Sequence, residues 1–281
     1  MTTRDHILEP DPTDLTGPVG AHHYARFFDN GPRLLVHFAT APKGMKSDQH
    51  FSTLEVQARK REWSLLLLVA EAGHDFRTAD VVEFFDHCSD EATFDLFEDV
   101  LFYGDGDGGY AALCYALSAP GARIVAVTPS QPAKATTERY VPEAQNLAVA
   151  QRLVWLHDPY APRALDPSPV AQVLTTRYLK PGAEARLIRR GAFWPLLDGV
   201  MGKGVDSVSL FAALRARRND RTYIRRLTKK CLNAGQFARA AAVAGSFAKR
   251  SGRKRFARSY ASIVETYDLK GFDPIEPPDT F

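Results

Sequence analysis

The sequence predicts an α/β fold, a mostly parallel sheet covered by helices on both faces, followed by a C-terminal α-helical region. Three observations carry this. Continuous apolar runs such as Leu65–Ala70 alternate with amphipathic stretches, the pattern of strands buried on both faces of a sheet. The run Phe97–Phe102 leads through Tyr103-Gly104-Asp105-Gly106-Asp107-Gly108-Gly109 into Tyr110–Ala119, which reads as strand, sharp turn and helix. From about residue 207 onward the periodicity is helical only.

Taken in order, residues 1–20 are polar, contain Pro10 and Pro12, and read as a flexible arm. An α/β domain is expected over 21–205, a basic helical region over 206–268 and a tail over 269–281. Arg33–Ala39 is the first strand, ended by Ala41-Pro42-Lys43-Gly44. Trp63–Ala70 is the second, with Glu71-Ala72-Gly73-His74 as its exit loop. Ala79–Cys88 reads as a helix that turns Val82, Phe85 and Cys88 to the core. The third strand precedes the glycine-rich turn, Gly121–Val127 is the fourth, and Arg152–Leu156 is the fifth, ending at His157-Asp158-Pro159. Glu184–Ile188 reads as a sixth. Helices follow near 207–218, 221–233, 236–250 and 252–267, broken at Asn233-Ala234-Gly235 and Ser251-Gly252.

At 281 residues and 45% hydrophobic, the chain can bury a substantial core. Its longest apolar run, Leu65–Ala70, is far too short to span a bilayer, so no membrane insertion is expected. The start shows no apolar run of the signal-peptide kind. Cys88, Cys114 and Cys231 are widely spaced in apolar or helical contexts, which suits buried free thiols in a reducing cytoplasm. Cys and His show no metal-ligand spacing, so no metal is expected. The net charge of +3 hides an asymmetry. Arg215–Arg258 holds fifteen Lys or Arg against one acid, Asp220, a balance of +14 that leaves −11 for the remainder. The basic helices are expected to engage a protein or an anionic polymer through Lys229, Lys230, Lys249, Arg250, Arg253, Lys254, Arg255 and Arg258, or else to form solvated faces paired with the acidic body.

The turn has the frame of a nucleophile elbow, G-x-S-x-G, in which the middle residue is lifted into the site. Aligned on Gly104 and Gly108, that residue is Gly106, which has no side chain. Gly104, Gly106 and Gly109 also fit G-x-G-x-x-G, and Gly104, Gly106 and Gly108 the G-x-G-x-G loop of S-adenosylmethionine-dependent methyltransferases. Both need an acid at the end of the next strand, and Val127-Thr128-Pro129-Ser130 supplies none. Asp105 and Asp107 place negative charge where a phosphate would sit. No cofactor is therefore assigned, and nucleotide or S-adenosylmethionine binding stays as a further alternative.

Phe84-Phe85-Asp86, Phe94, Phe97, Glu98 and the run Leu101–Leu113 together resemble an uncharacterised bacterial α/β-hydrolase-like family whose elbow reads Tyr-Gly-x-x-x-Gly-Gly-Tyr-Ala-Ala. The resemblance continues through Ala119–Arg123 and Val127–Gln131, with weaker echoes at Asp158-Pro159-Tyr160 and Leu214–Arg218. It covers roughly residues 60–220, and only the elbow block is specific. It implies a nucleophile at Gly106, an acid near Asp158 and a later histidine. The eight histidines lie at 6, 22, 23, 37, 50, 74, 87 and 157, so none follows Asp158. In α/β-hydrolases the order along the chain is nucleophile, acid, histidine. Loss of nucleophile and base removes proton transfer and acyl transfer together.

Two functional readings follow. The leading one is a non-catalytic hydrolase-like binding or scaffold protein. The alternative is an enzyme with a rewired site, in which Asp105 or Asp107 works with Asp158, His37, His74 or His157 where strand ends converge. Against it, Asp107 reads better as a cap of the following helix. Tyr103, Tyr110, Phe193 and Trp194 read as core or as pocket lining.

Overall fold

The computed structural model describes residues 15–50, 54–132, 139–161, 163, 165–176, 179, 182–215 and 220–275. The chain divides into two compact units, Met1–Ser207 and Val208–Phe281. In the first, one sheet is built from β1 (Gly17–Val19), β2 (His23–Thr40), β3 (Trp63–Ala70), β4 (Asp99–Asp105), β5 (Arg123–Val127), β6 (Arg152–His157) and β7 (Gln172–Thr175).

β2 bends at Asp29–Gly31 and contacts β3 twice. Its second arm is parallel to β3, from Arg33↔Trp63 to Thr40↔Ala70. Along its first arm the partners run in the opposite order, His23↔Ala70 to Phe28↔Leu65. β3 therefore lies between the two arms of β2, and all eight of its residues are buried. The second arm then pairs β4 in parallel, and β5, β6 and β7 follow in parallel. β1 closes the other edge, antiparallel to the first arm. Ser64 is the polar residue inside β3, and it holds the bend. Its hydroxyl accepts from Asn30 N (3.0 Å) and Gly31 N (3.1 Å) and donates to Gly31 O (2.7 Å). A Cβ at Gly31 would lie 2.2 Å from Glu62 O, so the turn needs glycine.

Strand alternation sends Leu34, Val36, Phe38, Phe102 and Ile124 to one face. There α2 (Ala79–Asp90) and α3 (Asp107–Tyr115) cover them, with Phe85 stacked on Tyr115 at 4.3 Å and Phe38 edge-on to Phe76 at 5.3 Å. The Tyr115 hydroxyl donates to Phe76 O at 2.6 Å, which satisfies its buried oxygen within this aromatic layer. On the opposite face Tyr103 meets Phe193 of α6 (Phe193–Met201), edge to face at 5.0 Å. Helices thus cover both faces of a mostly parallel, α/β-hydrolase-like sheet.

Two expectations are corrected. Glu184–Ile188 is not a strand but lies in helix α5 (Ala183–Arg189). Burial there falls on Ala183, Arg186 and Leu187, three and four residues apart, while Ile188 is 37% exposed, which is helical spacing rather than alternation. Part of the expected flexible arm is also ordered. Leu15 is buried and Gly17–Val19 is paired in the sheet, while residues 1–14 lie outside the described residues.

The short helices α1 (Leu54–Arg59) and α4 (Ala144–Leu147) complete the first unit, and α7 (Ser207–Arg215) begins at its end. The second unit holds α8 (Arg221–Asn233), α9 (Phe237–Ser251) and α10 (Lys254–Thr266). Asp220 caps α8, accepting from Thr222 N and Tyr223 N. Gly252 ends α9 at φ 62°, as the Ser251-Gly252 break requires. Small residues Ala240, Ala241, Ala244 and Gly245 face α10, and Tyr260 seats on Gly245. Cys88, Cys114 and Cys231 are buried free thiols, and burial pushes Cys88 and Cys114 up to about 12. Among the described residues no helix is long and apolar enough to cross a membrane.

Candidate functional site at the carboxyl edge of the sheet

The elbow is built as its residue types demand. β4 ends at Asp105, Gly106 takes φ 65° and ψ −118°, and α3 starts at Asp107. This is the strained strand-to-helix turn of a nucleophile elbow, with glycine at its apex. The chain doubles back so tightly that a Cβ on Gly104 would lie 2.1 Å from Gly108 O, and one on Gly108 2.6 Å from Phe38 O. Gly109 is nearly as close to Gly104 O and Val127 O, both 3.1 Å from its would-be Cβ. Gly106 N donates to Val127 O (2.9 Å), and Gly106 O accepts from Tyr110 N and Ser130 N (both 3.0 Å). Two hydroxyls staple the β5 exit to the elbow. Thr128 Oγ1 donates to Asp105 Oδ1 at 3.2 Å, and Ser130 Oγ to Asp107 Oδ1 at 2.5 Å. Asp107 also meets Arg163 at 3.2 Å. The expectation that Asp107 caps α3 is corrected. Gly106 holds the cap position, and the Asp107 carboxylate turns to Ser130 and Arg163 instead.

Beside the elbow lies a buried polar cluster. His37 stands opposite Tyr103 in the β2–β4 register, their rings 5.2 Å apart. His37 Nε2 is 3.0 Å from Glu184 Oε2, and Glu184 N donates to Asp105 Oδ2 at 3.3 Å. Glu184 thus links His37 to Asp105 from the first turn of α5. The His37 side chain is 2% exposed and that of Glu184 29%, so the carboxylate is the accessible end of the pair. His37 Nδ1 is buried without a hydrogen-bond partner among the described residues.

Burial pushes the Glu184 carboxyl upward. The His37 imidazole, through its charge and its hydrogen bond, outweighs burial with help from Tyr103 and His50 and holds the group below its ordinary value. The Tyr103 phenol is raised well above its usual range by complete burial, and further by the Glu184 and Asp105 charges. It is close enough to feel Glu184, but no hydrogen bond of normal geometry joins them. Burial lowers His50, and His37 lowers it further.

The other expected site residues go elsewhere. His74 stacks on His22, with centroids 3.7 Å apart, near Glu71. Asp158 is 1% exposed and organises its own loop, accepting from Tyr160 N and Leu179 N. His157 ends β6 with Nδ1 buried and unpartnered among the described residues. The structure therefore brings His37 and Asp105 together, through Glu184. Sequence reasoning missed Glu184, which it placed in a strand, and His50, which no motif singles out. From sequence alone Tyr103 reads only as core or lining. A separate cavity of about 380 Å3 lies at the amino ends of β4, β5 and β6, lined by residues such as Phe94, Asp99, Arg123 and Gln151. Its charged pair, Asp99 and Arg123, is already matched internally.

No family model and no curated protein matches the chain. Among solved structures it is similar to a chain of the glycosylation-associated protein Gap123 complex of Streptococcus agalactiae (12% identity, 58% of this chain and 42% of that one, TM-score 0.35). It is also similar to the acylaminoacyl peptidase of Pyrococcus horikoshii (12% identity, 69% and 42%, TM-score 0.40). A third likeness is to the Thermogutta terrifontis esterase 2 (13% identity, 60% and 90%, TM-score 0.35). The chain spans less than half the length of the first two. Strand order and elbow geometry give an α/β-hydrolase-like fold with a glycine at the elbow apex.

Proposed function

We propose that this protein is a non-hydrolytic α/β-hydrolase-like binding or scaffold protein that uses the carboxyl-edge crevice and its basic helices. The observation that carries the reading is Gly106, which keeps the backbone of a nucleophile elbow at φ 65° and ψ −118° with no side chain to attack. The nearby carboxylates Asp105 and Asp107 are engaged by Thr128 and Ser130, and His37 by Glu184. Turnover of short acyl esters and thioesters is the test. None is expected, and robust turnover abolished by a serine-directed covalent inhibitor would sink the reading. Gly106→Ser is expected to fold, to lose about 1–3 kcal/mol from a β-carbon forced into this backbone conformation, and to gain no esterase activity. Urea unfolding and the same ester assay check both halves.

The second reading, a rewired acid–base site, is favoured by the His37–Glu184 pair beside the elbow. In it Glu184 accepts a proton from a ligand hydroxyl or amine while His37 positions it. Nucleotide or S-adenosylmethionine binding at the loop is the third reading. It is opposed by the Asp105 and Asp107 charges, and a thermal shift with each ligand tests it.

The partner of the second unit would be a protein or an anionic polymer. Lys229, Lys249, Arg253, Lys254, Arg255 and Arg258 are all exposed on α8–α10 and the turn at Gly252. Replacing these six by glutamine is expected to abolish heparin retention at physiological salt and leave the melting temperature nearly unchanged. A wild-type protein that flows through heparin unretained would leave these helices as structure only. Three buried thiols support residence in the reducing cytoplasm.

A further inference from the structure

We propose that His22, Glu71 and His74 form a binding site for a divalent transition-metal ion, with Zn2+ the best fit. Sequence spacing gives no hint of it, because His22 and Glu71 are 49 residues apart and meet only in the sheet. One ligand atom from each of the three side chains lies within 4.8 Å of the others. His22 Nδ1 and Glu71 Oε2 are 3.3 Å apart. Two ligands on a tetrahedral ion with bonds of about 2.0–2.1 Å are separated by about 3.3 Å, so this pair already spans one edge of such a polyhedron.

The backbone builds the site. β3 ends at Ala70, and Glu71 N donates to His22 O at 2.9 Å, which locks the exit of β3 to the entry of β2. Glu71-Ala72-Gly73-His74 is a turn closed by His74 N to Glu71 O at 3.1 Å, with Gly73 at φ 97° supplying the left-handed residue. That turn folds His74 back over the strand end, where its ring stacks on His22 at 3.7 Å and 18°. The next residue of β2 is fixed too, since His23 Nε2 is 2.8 Å from Asp75 O. Two imidazoles and one carboxylate make a His2Glu set that leaves further positions to water, because the His22 side chain is 46% exposed. Imidazole ligands favour Zn2+, Ni2+ or Cu2+ over Mg2+ and Ca2+.

The test is calorimetric titration of tag-free full-length protein with ZnCl2, alongside visible absorption with CoCl2. One Zn2+ per chain is expected, undisturbed by excess Mg2+, and Co2+ should show the intense d–d bands of a low-coordinate site. His22→Ala and His74→Ala should each weaken Zn2+ binding at least roughly tenfold, the loss that even an outer-shell partner produces, and should reduce the Co2+ bands. His87→Ala, on α2, should leave both signals unchanged. Melting curves of each variant confirm that it folds, as expected for side chains at the surface. No heat at millimolar Zn2+, or binding that survives both His22→Ala and His74→Ala in folded protein, would overturn the proposal.

Discussion

Gly104→Ala is expected to destabilise the protein by at least about 3 kcal/mol and to leave little folded material at 37 °C. The new methyl would sit 2.1 Å from Gly108 O, 2.2 Å from Gly108 C and 2.7 Å from Gly109 N. All three atoms are backbone, so no rotamer change can relieve the overlap. The contact can open only by moving α3 away from β4. Gly108 and Gly109 pack equally closely on the flanking strands, against Phe38 O of β2 and against Val127 O of β5 and Pro129, so the shift would open these contacts as well. Displacing the helix would also loosen Tyr115, whose ring stacks on Phe85 and whose hydroxyl holds Phe76 O. Gly121→Ala is a useful contrast. That glycine has φ 86° but open space around a Cβ, so strain alone should cost about 1 kcal/mol there. Urea midpoints of the two variants make the comparison, and a Gly104→Ala protein as stable as Gly121→Ala would contradict the tight-elbow geometry.

The same close approach explains why the elbow was legible in the sequence. Gly104, Gly108 and Gly109 are fixed by contacts within a few residues or to adjacent strands, so their spacing is a local signature. β3, β4, β5 and β6 were legible too, because their residues are buried on both faces and read as continuous apolar runs. The first arm of β2 was not. His23–Phe28 mixes His, Tyr and Arg with apolar residues, and its place in the sheet depends on a bend held by Ser64, far along the chain. β7 escaped for a different reason. It is an edge strand in which only Leu174 is buried, so no hydrophobic pattern marks it. Ala183–Arg189 was misread because Leu187-Ile188 imitates a strand, and only Gly182, at φ 73° before the helix, signals a new start. That misreading hid Glu184. Of the site, the histidine at the end of a strand was visible and its carboxylate partner was not. The two are 147 residues apart and belong to no spacing rule.

Glu184→Ala is expected to lower stability by about 2 kcal/mol at neutral pH, because it leaves the nearly inaccessible Nε2 of His37 without its acceptor. Glu184→Gln keeps an acceptor and should cost less, about 1 kcal/mol, reflecting the lost charge alone. The pH dependence gives the sharper test. The Glu184 carboxyl is held below its ordinary value of 4.5 in the folded protein. A group depressed on folding stabilises the native state fully above its unfolded value, and that contribution fades as pH falls through the folded one. The groups facing it are His37 from β2, His50 from the loop after β2, Tyr103 from β4 and, across the Glu184 amide, Asp105. The gap between wild type and Glu184→Gln should therefore narrow as pH falls below about 4.5. Other carboxylates titrate there in both proteins and cancel in the difference. Urea unfolding of both proteins at pH 7, 5 and 4 makes the measurement. A gap that stays constant to the lowest pH would mean that the carboxylate charge contributes nothing, and that Glu184 acts only through its shape. If the charge does contribute, an ionised and partly exposed carboxylate stands near the elbow at neutral pH, 3.0 Å from a buried imidazole. Such a group suits a ligand that brings hydrogen-bond donors, whether or not chemistry follows.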